Sequence, residues 1–289
     1  MHFESAAVRS SSPLGSFIAA WDCHVHVFGE QKKYPQLADR RYTPGETSIG
    51  QLREHLDDLG AGHCVIVQAS VYGDDNACLM AGLDQLGGNA RAVIGMRADR
   101  LHDQTITELS RRGVRGVRIN HRGKVTDLCL AREEIAETAR ALQGIGWHVE
   151  INCVPTLVEP IIESCGSCTT PLVFDHLFGL DPARAGYGAE LQSVIRASAD
   201  ERVWTKISGL DRVAPFSIRD ESSSRAVEEL SRRMPDRLVW GSDWPHTPIA
   251  TGAQEFRKTD LVREVKWLLP QTGSMSEQLF HQNPQRLYG

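Results

Sequence analysis

Eight short apolar runs, rich in β-branched residues and separated by amphipathic segments, constrain this chain more than any other feature. The runs lie at 19–26, 63–69, 91–96, 114–119, 147–152, 171–175, 203–207 and 238–242. Each is nearly continuous rather than alternating, the pattern of a parallel strand covered on both faces. Apolar residues at helical spacing fill 49–59, 76–86, 106–112, 131–143, 157–164, 190–199, 224–234 and 254–268. The first four of these helical segments are followed by Gly60, Gly87–Gly88, Gly113 and Gly144, residues that end a helix in the left-handed conformation without steric penalty. Eight strands alternating with eight helices predict an α/β fold of the (β/α)8 TIM-barrel type. The expected layout is an N-terminal arm at 1–18 and a single barrel domain at 19–289 that ends in a helical cap. No GxGxxG follows any of the strands, which counts against an open dinucleotide-binding sheet.

Composition narrows the function classes. The 289 residues are 41% hydrophobic and 24% charged, enough apolar material for one large core. A formal net charge of −5 argues against a nucleic-acid surface. The 7 cysteines are an odd number and cannot close into a disulfide framework, so reduced thiols are expected. Within the first twenty residues the longest apolar stretch is 17–20, and no run approaches the ~18 apolar residues needed to span a membrane. The expectation is a cytoplasmic chain with neither a membrane nor a nucleic-acid partner; a homo-oligomer is compatible with it. The single CxxC, Cys165 to Cys168, has no second pair and follows a helix rather than opening one, so it reads as incidental.

A barrel places catalytic side chains at the C-terminal ends of its strands. The first strand ends in Asp22-Cys23-His24-Val25-His26. With a side-chain period of two, His24 and His26 should share the barrel-facing side while Cys23 and Val25 face the helices. Two inward imidazoles can polarise a carbonyl or share a metal, or simply fill the barrel mouth. The sixth strand ends in Asp175-His176 and the eighth in Gly241-Ser242-Asp243-Trp244-Pro245-His246. Asp243 alone could be a turn residue. Its falling at the same barrel end as His24, His26 and His176 favours chemistry.

These motifs resemble the amidohydrolase superfamily, and within it the 2-pyrone-4,6-dicarboxylate lactonase group. HVHVFG at 24–29, VIVQAS at 65–70, RGVRIN at 115–120, DH at 175–176, GSDWPH at 241–246 and NPQRLYG at 283–289 are similar to that group's landmarks, in order. The resemblance implies that His24, His26 and His176 polarise a substrate carbonyl and that Asp243 is the base. It also implies Tyr42 and Ser70 as hydroxyl donors and Arg118, Lys124 and Arg212 as carboxylate contacts. Many members of the superfamily bind metal through these strand ends. The bridging ligands of a two-metal site are absent, because the fourth strand ends in Ile119-Asn120 and the fifth in Asn152-Cys153. The lactonase group generally works without metal, so no cofactor is the expectation. A single Zn2+ on His24, His26 and Asp243, with or without His176, is the alternative.

Arg118, Arg122 and Lys124 follow the fourth strand and Arg212 the seventh, four cations near one mouth in a net-acidic chain. They point to an anionic substrate. Dicarboxylate-specific relatives carry a Tyr where this chain has Asn152, an Arg at Gly179 and an Arg at Lys124. Lys lacks the planar fork of Arg, so fewer or differently placed carboxylates are implied. The functional expectation is a hydrolase (a lactonase) that opens a small carboxylate-bearing or sulfonated lactone with Asp-activated water, in the catabolism of aromatic or sugar acids. The first alternative is a zinc-dependent decarboxylase of an aromatic or muconate acid; the second is a ligand-binding barrel without catalysis.

Overall fold

The computed structural model describes residues 12–15, 19–121, 128–210, 221–246, 258–272 and 275–289. Eight parallel strands hydrogen-bond in sequence order: β1 (Trp21–Val25), β2 (His63–Val67), β3 (Ala90–Ile94), β4 (Val114–Asn120), β5 (His148–Asn152), β6 (Leu172–Phe174), β7 (Val203–Ile207) and β8 (Leu238–Trp240). The sheet closes through a parallel bridge between Val25 and Trp244. There His26 N donates to Trp244 O at 2.8 Å and Asp243 N to His24 O at 2.8 Å. The (β/α)8 barrel read from the sequence is the fold.

The helices are α1 (Ile49–Leu59), α2 (Ala77–Leu86), α3 (Asp103–Arg112), α4 (Leu128–Ala141), α5 (Val158–Cys165), α6 (Tyr187–Ala197), α7 (Glu221–Arg233), α8 (Lys258–Thr272) and α9 (Asn283–Tyr288). The first shows why such segments stop and start where they do. Ser48 Oγ accepts from Gln51 N while Gln51 Oε1 accepts from Ser48 N, and Gly60 ends the helix at φ 77°. Of the eighth helix expected at 254–268, residues 254–257 lie outside the described residues, and α8 runs on to Thr272.

Strand residues divide between two cores. Ile66, Ile94, Val117, Ile151, Phe174, Ile207 and Trp240 face outward and belong to the large core beneath the helices. A separate cluster of Trp21, Cys23, Val65, Val67, Val93, Val173, Trp204, Val239, Leu287 and Tyr288 fills the barrel. Cys23 in that cluster corrects the expectation that it faces the helices. Asp22 pairs with Cys64 and Val25 with Ile66, so Cys23 and His24 together oppose one residue, Val65. This β-bulge interrupts strict alternation and turns both side chains inward.

Described residues near both ends of the chain pack against the barrel. Within the expected 1–18 arm, Leu14 is fully buried and its N donates to Leu59 O at 2.9 Å, so this piece belongs to the core. The C-terminal helix closes the barrel end opposite the strands' C-termini. Tyr288 stacks on Trp21 with ring centroids 6.1 Å apart and meets His148 edge-on at 5.4 Å. Arg91 Nε holds Tyr288 O at 3.0 Å, and Asn283 Nδ2 reaches Pro235 O and Leu238 O, each at 2.8 Å. Tyr288→Ala should open a cavity in the barrel floor and lower stability by about 3–5 kcal/mol in urea denaturation.

Candidate active site

Four side chains meet where β1, β6 and β8 end. His24, His26, His176 and Asp243 are all buried. His24 Nε2 and His26 Nε2 are 3.3 Å apart, and Asp243 Oδ1 lies 3.6 Å from the first and 3.4 Å from the second. The His24 and His176 rings stand 5.0 Å apart. The structure thus brings together the four residues that the sequence singled out for chemistry.

Backbone strain positions two of them. His176 and Asp243 both adopt left-handed conformations, at φ 52° and 61°. Such conformations in residues with a Cβ concentrate where function requires an otherwise unfavourable placement. Ser208 Oγ is 3.0 Å from His176 Nδ1. Gly209 sits at φ +59°, and a Cβ there would lie 2.7 Å from His176 Nδ1 and 3.3 Å from Asp243 Oδ2. Only glycine leaves both groups their room. Asp22, on the helix-facing side, ties the two strand ends together. Its Oδ1 accepts from His24 N at 3.3 Å and Ser242 N at 2.9 Å, and its Oδ2 pairs with His55 Nε2 at 3.2 Å.

Beneath the site lies a charged layer that the sequence reading did not identify. Lys206 on β7 and Glu150 on β5 are fully buried and form an ion pair. Arg118 on β4 donates through Nε and Nη2 to Asp175 Oδ2, at 3.1 and 3.0 Å, and through Nη1 to Gln68 O at 2.9 Å. Arg118 is therefore anchored in the barrel with its fork engaged, rather than a free cation at the mouth. The signal was present: VRI, VEI and TKI each place one charge between uncharged neighbours, inside a run of the kind buried on both faces.

Burial and charge set the protonation of this layer. Burial, followed by the Lys206 ammonium and His26, holds His24 well below the usual imidazole range. Burial also lowers His148, against the opposing pull of Glu150. Burial and Asp175 push Glu150 upward, but Lys206, His148 and His24 outweigh them and hold it below the usual carboxylate range. Asp175 is likewise held low, because Arg118, Lys206 and His176 outweigh its burial.

The other expected contacts sit around the rim. Tyr42 is half-buried within electrostatic reach of Arg118. Ser70 is half-buried in the turn after β2, and Asn152 ends β5 with an Oδ1 that has no hydrogen-bond partner among the described residues. Arg122, Lys124 and Arg212 lie outside the described residues. Cys165 and Cys168 are buried free thiols, and burial pushes the first up to about 11.

The site also fits a cation. Ligand atoms held at the ~2.0–2.1 Å of a tetrahedral Zn2+ are about 3.3–3.4 Å apart. The 3.3, 3.4 and 3.6 Å separations among His24, His26 and Asp243 match that spacing. His26 Nδ1 donates to Val67 O at 2.8 Å, leaving Nε2 as the coordinating atom of the neutral ring. Among the described residues, His24, Asp175 and His176 form a second such group.

A closed barrel with a buried His, His, His and Asp cluster at its strand ends defines a class of barrel hydrolases, and comparison with known proteins agrees. A family model described as amidohydrolase matches residues 21–289. The chain belongs to the amidohydrolase family. It is 30% identical over 280 residues to a 2-pyrone-4,6-dicarboxylate hydrolase of Comamonas testosteroni, covering 93% of this chain and 90% of the relative. It is 28% identical over 288 residues to a 4-sulfomuconolactone hydrolase of Rhizobium radiobacter, covering 99% and 93%. A solved structure from Acinetobacter baumannii with citric acid bound superposes with a TM-score of 0.80 at 22% identity, covering 94% of this chain and 100% of that one.

The depressed groups make the fold acid-sensitive. Each binds its proton more weakly in the folded state than in the unfolded chain, so its stabilisation is complete above the unfolded value and lost as pH falls toward the folded one. Loss should begin below ~6.5, as His24 and His148 become protonated in the unfolded chain, and continue below ~4 through Glu150 and Asp175. Urea midpoints should fall steadily from about pH 7.5 to about pH 4.5; a flat profile would contradict the assignment of these groups as buried and ionically matched.

Proposed function

We propose that this chain is a hydrolase that opens the ring of a small acidic lactone with water activated by Asp243. The observation that carries the reading is the meeting of a buried carboxylate with three imidazoles at the barrel mouth, in a chain related over nearly its whole length to two hydrolases named for acidic lactone rings. A 2-pyrone is a six-membered unsaturated lactone, and both named substrates carry groups that are anionic at neutral pH, carboxylates in one and a sulfonate in the other.

Ring opening needs a base for water and donors for the oxyanion. Asp243 takes a proton as the water oxygen adds to the lactone carbonyl carbon. The negative charge then rests on the former carbonyl oxygen, where N–H groups of His24 and His176 receive it. His26, held by Val67, fixes the near edge of the site. The intermediate collapses, the ring C–O bond breaks, and the leaving oxygen recovers the proton from Asp243. The product is an acyclic acid carrying a hydroxyl or its keto tautomer.

Substrate acid groups would be met by Lys124 and Arg212, with Tyr42, Ser70 and Asn152 as neutral partners and Arg118 contributing its field from below. Asn152 in place of a phenol, and Lys124 in place of a forked Arg, favour a ring with fewer or differently placed acid groups than pyrone dicarboxylate, such as a muconolactone, a sulfonated muconolactone or a sugar acid lactone. A single Zn2+ on His24, His26 and Asp243, with or without His176, would supply Lewis-acid polarisation of the carbonyl. That same donor spacing supports the second reading, a zinc-dependent decarboxylase.

Assay of a lactone panel with and without chelator separates them. Ring opening that survives metal removal is the expected result; CO2 release from an aromatic or muconate acid, abolished by chelator, would replace it. Asp243→Asn should lower turnover by about 10²–10⁴-fold with the fold intact by circular dichroism. A rate like the parent's would remove Asp243 from the role of base.

A further inference from the structure

The Lys206–Glu150 pair has no place in that mechanism, yet it touches His24 directly. An ammonium has three hydrogens to donate, and a fully buried one needs an acceptor for each. Lys206 Nζ has one on Glu150 Oε2, a second on Cys23 O at 2.9 Å and a third on His24 Nδ1 at 3.4 Å. Oδ1 of the other nearby carboxylate, Asp175, is 4.0 Å away, beyond hydrogen-bond range.

The direction of this contact propagates. A ring nitrogen that accepts from Lys206 carries no proton, so the neutral His24 ring bears its hydrogen on Nε2. That N–H faces His26 Nε2 at 3.3 Å. In a neutral His26 ring Nε2 is the acceptor, because His26 Nδ1 donates to Val67 O, which can only accept. Both ends of the chain therefore demand the same tautomers: Lys206 to His24, His24 to His26, His26 to Val67. No hydrogen in the series meets another.

We infer that Lys206, anchored by Glu150, is a positioning residue that holds His24 in its Nε2–H form, presents that N–H to the active site and opposes metal binding there. A cation at His24, His26 and Asp243 requires the Nε2 lone pair, and so a hydrogen on His24 Nδ1. That hydrogen would point at the Lys206 ammonium. Asp175 Oδ1 stands 3.4 Å from His24 Nδ1, as near as Lys206 Nζ, and accepts no hydrogen bond among the described residues; without Lys206 it is the acceptor to which an Nδ1–H would turn, the carboxylate–histidine arrangement that supports a metal ligand. The inference concerns the resting site and is independent of which lactone, if any, is opened.

The test uses the full chain, labelled with 15N-histidine, purified with chelator and dialysed, with the His24 signals assigned by their loss in His24→Asn. Long-range 1H–15N correlation should show wild-type His24 protonated on Nε2. Lys206→Met combined with Glu150→Gln removes the ammonium without stranding a buried carboxylate. It should move the His24 proton to Nδ1 and tighten Zn2+ binding, read by titration calorimetry, on the order of 10-fold or more. Lys206→Gln, which keeps an N–H donor, should retain the wild-type tautomer. An Nδ1-protonated His24 in the wild type overturns the inference even if the double variant does not fold. So does a folded double variant that fails to show either change.

Discussion

Everything at this site rests on a layer of buried charge that is neutral as a set. Arg118 and Lys206 bring two positive charges into the barrel, and Glu150 and Asp175 bring two negative ones. Isolated, any of them would cost several kcal/mol to desolvate. Interleaved on β4, β5 and β7 and at the end of β6, they satisfy one another, and burial together with Lys206 holds His24 above them in its neutral form. The apolar floor of Trp21, Val65, Val93, Trp204 and Tyr288 below excludes water from the same volume. Low dielectric underneath and matched charge in the middle give the mouth a fixed electrostatic field.

The fold was legible in the sequence because burial on both faces writes itself as continuous apolar runs, and the glycines after the helices punctuate them. So was the meeting of His24, His26, His176 and Asp243, since each sits within two or three residues of a strand end. The orientation of Cys23 was not, because a bulge of one residue leaves no mark in an apolar run. Glu150 and Lys206 were visible as charges inside strands, but a single charge in a short run looks the same whether it faces solvent or a partner. Only the closed barrel, which gathers the inward side chains of β4, β5, β6 and β7 into one interior with those of β1, turns separate charges into a network.

Arg118 shows the opposite error. Its position near the C-terminal end of β4 in a net-acidic chain made it resemble an anion receptor. The structure engages that fork on Asp175 and Gln68 O, so its influence on a ligand passes through the carboxylate that it orients. The groups Tyr42, Ser70 and Asn152 are only partly enclosed or carry an oxygen without a hydrogen-bond partner among the described residues, which leaves them the neutral contacts of the proposed reaction.

The closure of the barrel is also the assembly of its site. The bonds that join β1 to β8 are made by His24, His26, Asp243 and Trp244 themselves, with Asp22 bracing both sides. A sheet with its seven inner pairings formed but this seam unzipped would keep nearly all its strands and hold no catalytic constellation. Activity in this chain is therefore a gauge of one particular joint, and loss of function on mild destabilisation should precede loss of secondary structure.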